Sequence, residues 1–320
     1  MEFLRFLETL RNPVCDALFQ VITVLGEETP YLVLTMLVLW CVNKRWGYFL
    51  LYTGLFGTVI NQFLKLICCV PRPWLRDPSF TIVESAREGA TGYSFPSGHS
   101  TNAAIVYLGL ARSIRRRTAW IVCCIVAALI GLSRMYLGVH TPADVGVGLL
   151  TGICLVFACA PLFERGWENP RYFIGLAGTL IACAAGLVLY AELAPLPAGA
   201  VAEYSAHGLE TGYKMLGACM GFAICLWLDQ TKLHYPTDAV WWAQILKMAG
   251  GLALVVAIRL ISKAPLLALT GGHPCANGIR YLLMILAGGA VWPLTFRWFS
   301  RLGRSNAANQ AEKEMPAANQ

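Results

Sequence analysis

Long apolar runs separated by short polar stretches repeat along the whole chain. A helix needs roughly 20 residues to cross a bilayer, and nine runs reach that length or nearly so: 29–43, 47–69, 99–114, 118–138, 143–163, 172–193, 213–228, 240–262 and 280–298. The first of these is marginal. Ahead of them Phe3, Leu4, Phe6, Leu7 and Leu10 are set among Glu2, Arg5, Glu8 and Arg11, the pattern of a helix lying in the membrane interface rather than of a cleavable signal. Residues 13–25 end at the break Gly26-Glu27-Glu28 and are too short to span, which predicts a second interfacial or re-entrant piece. The pattern therefore predicts an all-α fold, a polytopic transmembrane helical bundle of about nine spans with interfacial helices at its N-terminus. Four parts are expected: interfacial helices over 1–29, a five-span core over 30–163, a four-span extension without a recognisable motif over 164–300, and a polar, disordered cytoplasmic tail over 301–320.

Composition supports the membrane reading and changes how the charge is read. Of 320 residues 57% are hydrophobic and 13% charged, and the mean hydropathy of +0.57 exceeds what a soluble core needs. The net charge of +7 accordingly speaks to topology, and no nucleic-acid partner is expected. Basic loops stay in the cytoplasm. Lys44 and Arg45, Arg112 with Arg115 to Arg117, the 165–171 loop, and Arg297, Arg301 and Arg304 fall on one side. The loops 70–98, 135–141, 194–212 and 263–279 are then extracytoplasmic, and the chain is expected in the plasma membrane if its host is a bacterium. Most of the twelve cysteines sit inside apolar runs as small packing residues; Cys275 alone is placed in water.

Three polar pieces converge on the extracytoplasmic face. Lys65 closes the second span and Arg72-Pro73 follows it; Pro96-Ser97-Gly98-His99 opens the third; Ser133-Arg134, His140 and Asp144 straddle the junction of the fourth and fifth. A phosphoryl group in transfer carries charge on three equatorial oxygens, which calls for fixed cations and backbone donors. Lys65, Arg72 and Arg134 supply the cations, and Ser97 and Gly98 supply N–H groups at a helix start. A neutral imidazole attacking phosphorus needs a carboxylate on its other nitrogen. His140 and Asp144, four residues apart, meet that need on one helical face, leaving His99 as general acid and then base.

The set Lys65-x6-Arg72-Pro73, Pro96-Ser97-Gly98-His99 and Ser133-Arg134-x5-His140-x3-Asp144 resembles the three-part signature of the type 2 phosphatidic acid phosphatase family, the integral-membrane lipid phosphate phosphatases. The resemblance covers about half the chain and is complete at every motif position. It implies a helical bundle that hydrolyses a lipid phosphate or diphosphate without a metal or other cofactor. Its phosphohistidine would form on His140, partnered by Asp144, with His99 as acid and the site facing away from the cytoplasm. Residues 93–103 also resemble the long-chain-base phosphate phosphatases.

Outside this set, His207, His234 and His273 lie on different loops and make no metal site. Glu192, Glu203 and Glu210, with Arg259 and Lys263, are candidates for a substrate vestibule, and Arg76, Asp77, Glu84, Arg87 and Glu88 read as a solvated loop. The expected partners are a membrane lipid phosphate and the bilayer; the sequence gives no basis for deciding on a homodimer. Two other functions share the pattern. A phosphotransferase would deliver phosphate from the same histidine to another lipid, and a non-catalytic lipid-binding or transport protein would use the extension as its working part. A binder, however, has no use for a nucleophile and its orienting carboxylate.

Overall fold

The computed structural model describes residues 1–195 and 201–303; most of the tail expected over 301–320 lies outside the described residues. Among these, the regular elements are all helical. An amphipathic α1 (Glu2–Thr9) buries Leu4 and Leu7. It is followed by α2 (Pro13–Val24), whose N-terminus is capped by the Asn12 side chain accepting from the Cys15 N–H. The chain turns at Gly26 into α3 (Glu28–Leu37), which continues through a wide turn of helix over Val38–Val42; α2 and this extended α3 are bent by 45° to one another. The core then runs through α4 (Lys44–Cys68), the short turn α5 (Pro73–Arg76), and a helix in three pieces: α6 (Gly98–Ala103), a wide turn over Ala104–Leu108, and α7 (Gly109–Ile114). It closes with α8 (Arg117–Tyr136) and α9 (Pro142–Glu168). The rest comprises α10 (Arg171–Leu193), α11 (Ala202–Leu228), α12 (Trp241–Ile261), α13 (Lys263–Leu269), α14 (Cys275–Leu286) and α15 (Phe296–Arg301).

Among the described residues seven helices are long and apolar enough to cross a membrane, or eight if the bent pair of α2 and α3 counts as one span. The expected nine spans are not confirmed: the helix over 98–114, continuous through its wide turn, is shorter than the roughly 20 residues a crossing needs, and the run at 29–43 is one arm of the bent pair. A second difference concerns α11, which begins at Ala202, well before the apolar run at 213. Its first turns carry Glu203, His207 and Glu210 on a helix rather than in a loop.

One apolar core joins both halves of the chain. Phe163 packs on Phe173 edge to face at 5.1 Å, Tyr48 and Tyr52 contact Phe222 at 6.1 and 6.0 Å, and Trp40 meets Phe296 at 6.2 Å. Large apolar side chains such as Ile121, Val122 and Ile125 on α8, or Leu150 and Phe157 on α9, point outward, as a lipid-facing surface requires. Chain direction sorts the bundle ends. Lys65, Gly98, Arg134 and Pro142 gather at one end. At the other, Arg112 pairs with Glu164 at 3.2 Å and Lys44 with Asp229 at 3.1 Å.

Candidate active site

Four elements bring the polar pieces together. Near the end of α4, buried Lys65 donates to the Tyr93 carbonyl. Arg72, just beyond α4, is also buried, and its guanidinium fork ties the loops around it. Nε donates to the Gly92 carbonyl at 3.0 Å and Nη2 to the Thr91 carbonyl at 2.8 Å, while Nη1 reaches the Val139 carbonyl at 3.0 Å and His140 Nε2 at 2.9 Å. An arginine can only donate, so the last contact makes Nε2 of His140 the unprotonated, lone-pair nitrogen. The proton is then on Nδ1, which lies 3.6 Å from Asp144 Oδ2.

Asp144 is fixed by its own chemistry as a helix cap. The Thr141 hydroxyl accepts from the Asp144 N–H at 3.3 Å and the Asp144 carboxylate accepts from the Thr141 N–H at 2.7 Å, a reciprocal capping box at the start of α9. The same carboxylate oxygen accepts from the Ser94 hydroxyl at 2.6 Å. Ser97 is the N-cap of α6, and its N–H donates to the Asp144 carbonyl at 2.9 Å, pinning the Pro-Ser-Gly-His turn to α9. The Phe95–Pro96 peptide in this turn is cis. Arg134, near the end of α8, is buried and donates from Nη1 to Thr23 Oγ1 at 2.8 Å; its Nε has no partner among the described residues.

A cavity of about 640 Å³ opens over this cluster, lined by Lys65, Arg72, Gly98, His99, Arg134 and His140 among others. Ser97 and Asp144 are buried behind that wall. His140 is buried, and desolvation first, then the positive charges of Arg72, Arg134 and Lys65, push its imidazole well below the ordinary value, keeping it neutral. The arrangement places a neutral ring nitrogen whose lone pair meets Arg72, three cations and the helix start at Gly98 around one space. Among the described residues no group of three or more His, Cys, Asp or Glu is placed to hold a metal ion. His207 turns out to line the cavity as well. In the loop after α4, Asp77 is taken by Arg5 at 2.6 Å and Glu84 by Arg87 at 2.8 Å, whereas Glu88 reaches the cavity.

Some participants carry no signal in the sequence. Thr23 and Ser94 are single hydroxyls far from the residues they hold, 111 and 50 positions along the chain. The Thr141 cap could have been found, because Thr-x-x-Asp before an apolar run is a helix-start pattern.

Residues 45–168 match the PAP2 superfamily, and residues 213–305 match the transmembrane extension of PAP2 superfamily phosphatases. Phosphatidylglycerophosphatase B of Bacillus subtilis is 31% identical over 170 residues, 49% of this chain and 79% of that protein. Undecaprenyl-diphosphatase BcrC of the same organism is 33% identical over 124 residues, 39% of this chain and 59% of that protein. A probable sphingosine-1-phosphate phosphatase of Dictyostelium discoideum is 25% identical over 241 residues, 69% of this chain and 56% of that protein. The chain thus spans less than two thirds of the second and third of these relatives. No solved structure matches it. The family match over 45–168 encloses the three pieces that meet at the cavity, and the first relative is covered over most of its length, so the chain belongs to the PAP2 superfamily and is an integral-membrane lipid phosphatase.

Proposed function

We propose that the protein hydrolyses the terminal phosphate of a lipid phosphate or diphosphate at the extracytoplasmic face, through a phosphohistidine on His140 and without a metal. The contact between Arg72 Nη1 and His140 Nε2 at 2.9 Å carries this reading, since it leaves the nucleophilic lone pair facing a phosphate-binding cation. A bound phosphate takes the place of the imidazole on Arg72, with the Arg134 Nε and the Gly98 N–H as further donors; the Ser97 N–H is held by the Asp144 carbonyl. Nε2 attacks phosphorus, the bond to the leaving oxygen breaks, and His99 delivers a proton to that oxygen. Asp144 stabilises the imidazolium that forms. His99 then takes a proton from water, whose oxygen attacks phosphorus and breaks the P–N bond, releasing inorganic phosphate. The basic clusters at the opposite end of the bundle support an outward-facing site. A lipid whose tail stays in the bilayer reaches such a site with only its headgroup.

The test is phosphate release by purified protein in detergent with EDTA, across isoprenoid, glycerolipid and sphingoid phosphates, beside His140→Ala. Release that survives EDTA and is lost in the variant is the expected result. Release abolished by EDTA, or unchanged in His140→Ala, would overturn the mechanism.

A further inference from the structure

The cavity over His99 and His140 is not walled by the 45–168 segment alone. Its far side is built by α11, which brings His207, Thr211 and Lys214 to it. Docking of α11 on the catalytic loop is direct. The Tyr93 hydroxyl accepts from the Val201 N–H at 3.0 Å, lies 3.2 Å from Ser205 Oγ, and the Tyr93 ring meets Tyr204 edge to face at 5.4 Å. His207 packs over Gly92, where an added Cβ would sit 3.5 Å from its Cδ2; the carbonyl of that same glycine accepts from Arg72 Nε. Lys214 lies two turns further along the same helix face. Its side chain is 18% exposed and pairs with Glu210, itself 40% exposed, at 2.8 Å. An ammonium has three donors, so this pair leaves two for a ligand.

A fourth cation thus faces a space where Lys65, Arg72 and Arg134 already match one phosphate. The cavity lining also carries Glu27, Glu28 and Glu88, which repel an anion and leave the cations as its partners. We propose that Lys214, with His207 beside it, binds a second anionic group of the substrate. The extension then sets a preference for lipids bearing two neighbouring phosphates over lipid monophosphates. The inference rests on the phosphatase reading of the site and gives the extension a specificity role.

Binding of a lipid bisphosphonate, whose bridging carbon resists hydrolysis, is compared with that of a monophosphonate of the same tail by titration calorimetry in detergent, on the full chain. The same proteins are assayed with the matching lipid diphosphate and monophosphate. Wild type is expected to prefer the bisphosphonate about tenfold, the scale of one charge-assisted contact. Lys214→Gln should abolish that preference and raise the KM for the diphosphate relative to the monophosphate, and Lys214→Arg should keep both. Equal binding of the two analogues by wild type, a preference retained in Lys214→Gln, or a uniform loss on both lipids would overturn the proposal. Binding needs no turnover, so a wild type that cleaves neither lipid yet shows the Lys214-dependent preference would sink the hydrolase reading and leave the second-anion site standing.

Discussion

His140 has to be neutral to attack and yet sits among cations that favour its neutrality only at a cost in charge burial. Burial and the nearby Arg72, Arg134 and Lys65 hold its imidazole well below the ordinary 6.5, so the reactive form persists as pH falls and is lost only when protonation finally occurs below that value. Because kcat/KM reports the free enzyme, its acidic limb is expected below pH 6.5. Arg72→Ala removes one of those charges and should move the limb to higher pH in addition to slowing the reaction. A wild-type limb at or above 6.5 in a pH series in detergent would contradict this account. Most of these residues were legible in the sequence because each spacing has a chemical reason: four residues between His140 and Asp144, or a Pro-Ser-Gly-His turn at a helix start. Thr23 and Lys214 were not, since a hydroxyl or a lysine on another helix becomes part of a site only once the helices pack.

At the scale of elements, the site depends on how closely α9 approaches the helix that begins at Gly98. Gly148 and Gly152 lie on the contact. A Cβ at Gly148 would sit 2.6 Å from the Ser97 carbonyl oxygen and 3.1 Å from Ser100 Cβ, and one at Gly152 would sit 2.7 Å from the Thr101 carbonyl. Their spacing of four is the small-residue pattern of close helix pairs in membranes, a signal in the sequence that hydropathy counting passes over. Gly146, on the same helix, has open space where its Cβ would go. Gly148→Ala is therefore expected to cost about 1–3 kcal/mol through overpacking against backbone that cannot yield. By moving Ser97 and His99 relative to His140 it should also lower kcat about 10²-fold. Gly146→Ala should leave kcat alone and raise stability by about 0.5–1 kcal/mol. Thermal unfolding in detergent and initial rates on both variants check the contrast. The same limitation of hydropathy applies to helix boundaries and bends. Periodicity finds apolar length well, but the bend at Gly26 and the early polar turns of α11 are decided by contacts with other elements, such as Gly26 beside Ile130 and His99 and Gly208 beside Leu66.

Across the whole molecule, the two halves that look separate in sequence share one core, and what ties them matters more than apolar area. Lipid is as apolar as a leucine side chain, so burying apolar faces between helices gains little in a bilayer; polar pairs across the junction carry correspondingly more of the specificity. The pair between Lys44, at the start of α4, and Asp229, at the end of α11, joins the halves at the end remote from the site. Asp229 is fully buried, its Oδ1 also accepts from the Tyr235 N–H at 3.3 Å, and its Oδ2 has no partner among the described residues. Lys44 in turn lies over the Tyr235 ring at 4.9 Å. Removing one partner of such a pair strands a buried charge, whereas removing both can be neutral. Lys44→Met alone strands the buried Asp229 carboxylate and should destabilise by about 3–5 kcal/mol, Asp229→Leu alone should cost less because Lys44 keeps 25% of its side chain exposed, and the double variant Lys44→Met with Asp229→Leu should recover most of the larger loss. At a temperature where all of them remain folded, kcat should stay near wild type, because the pair lies at the far end of the helices from His140. A thermal unfolding series through this double-mutant cycle decides the point: additive losses would mean that the halves are held by packing alone, and a fall in kcat without a fall in stability would mean that the far end of the bundle communicates with the catalytic cavity.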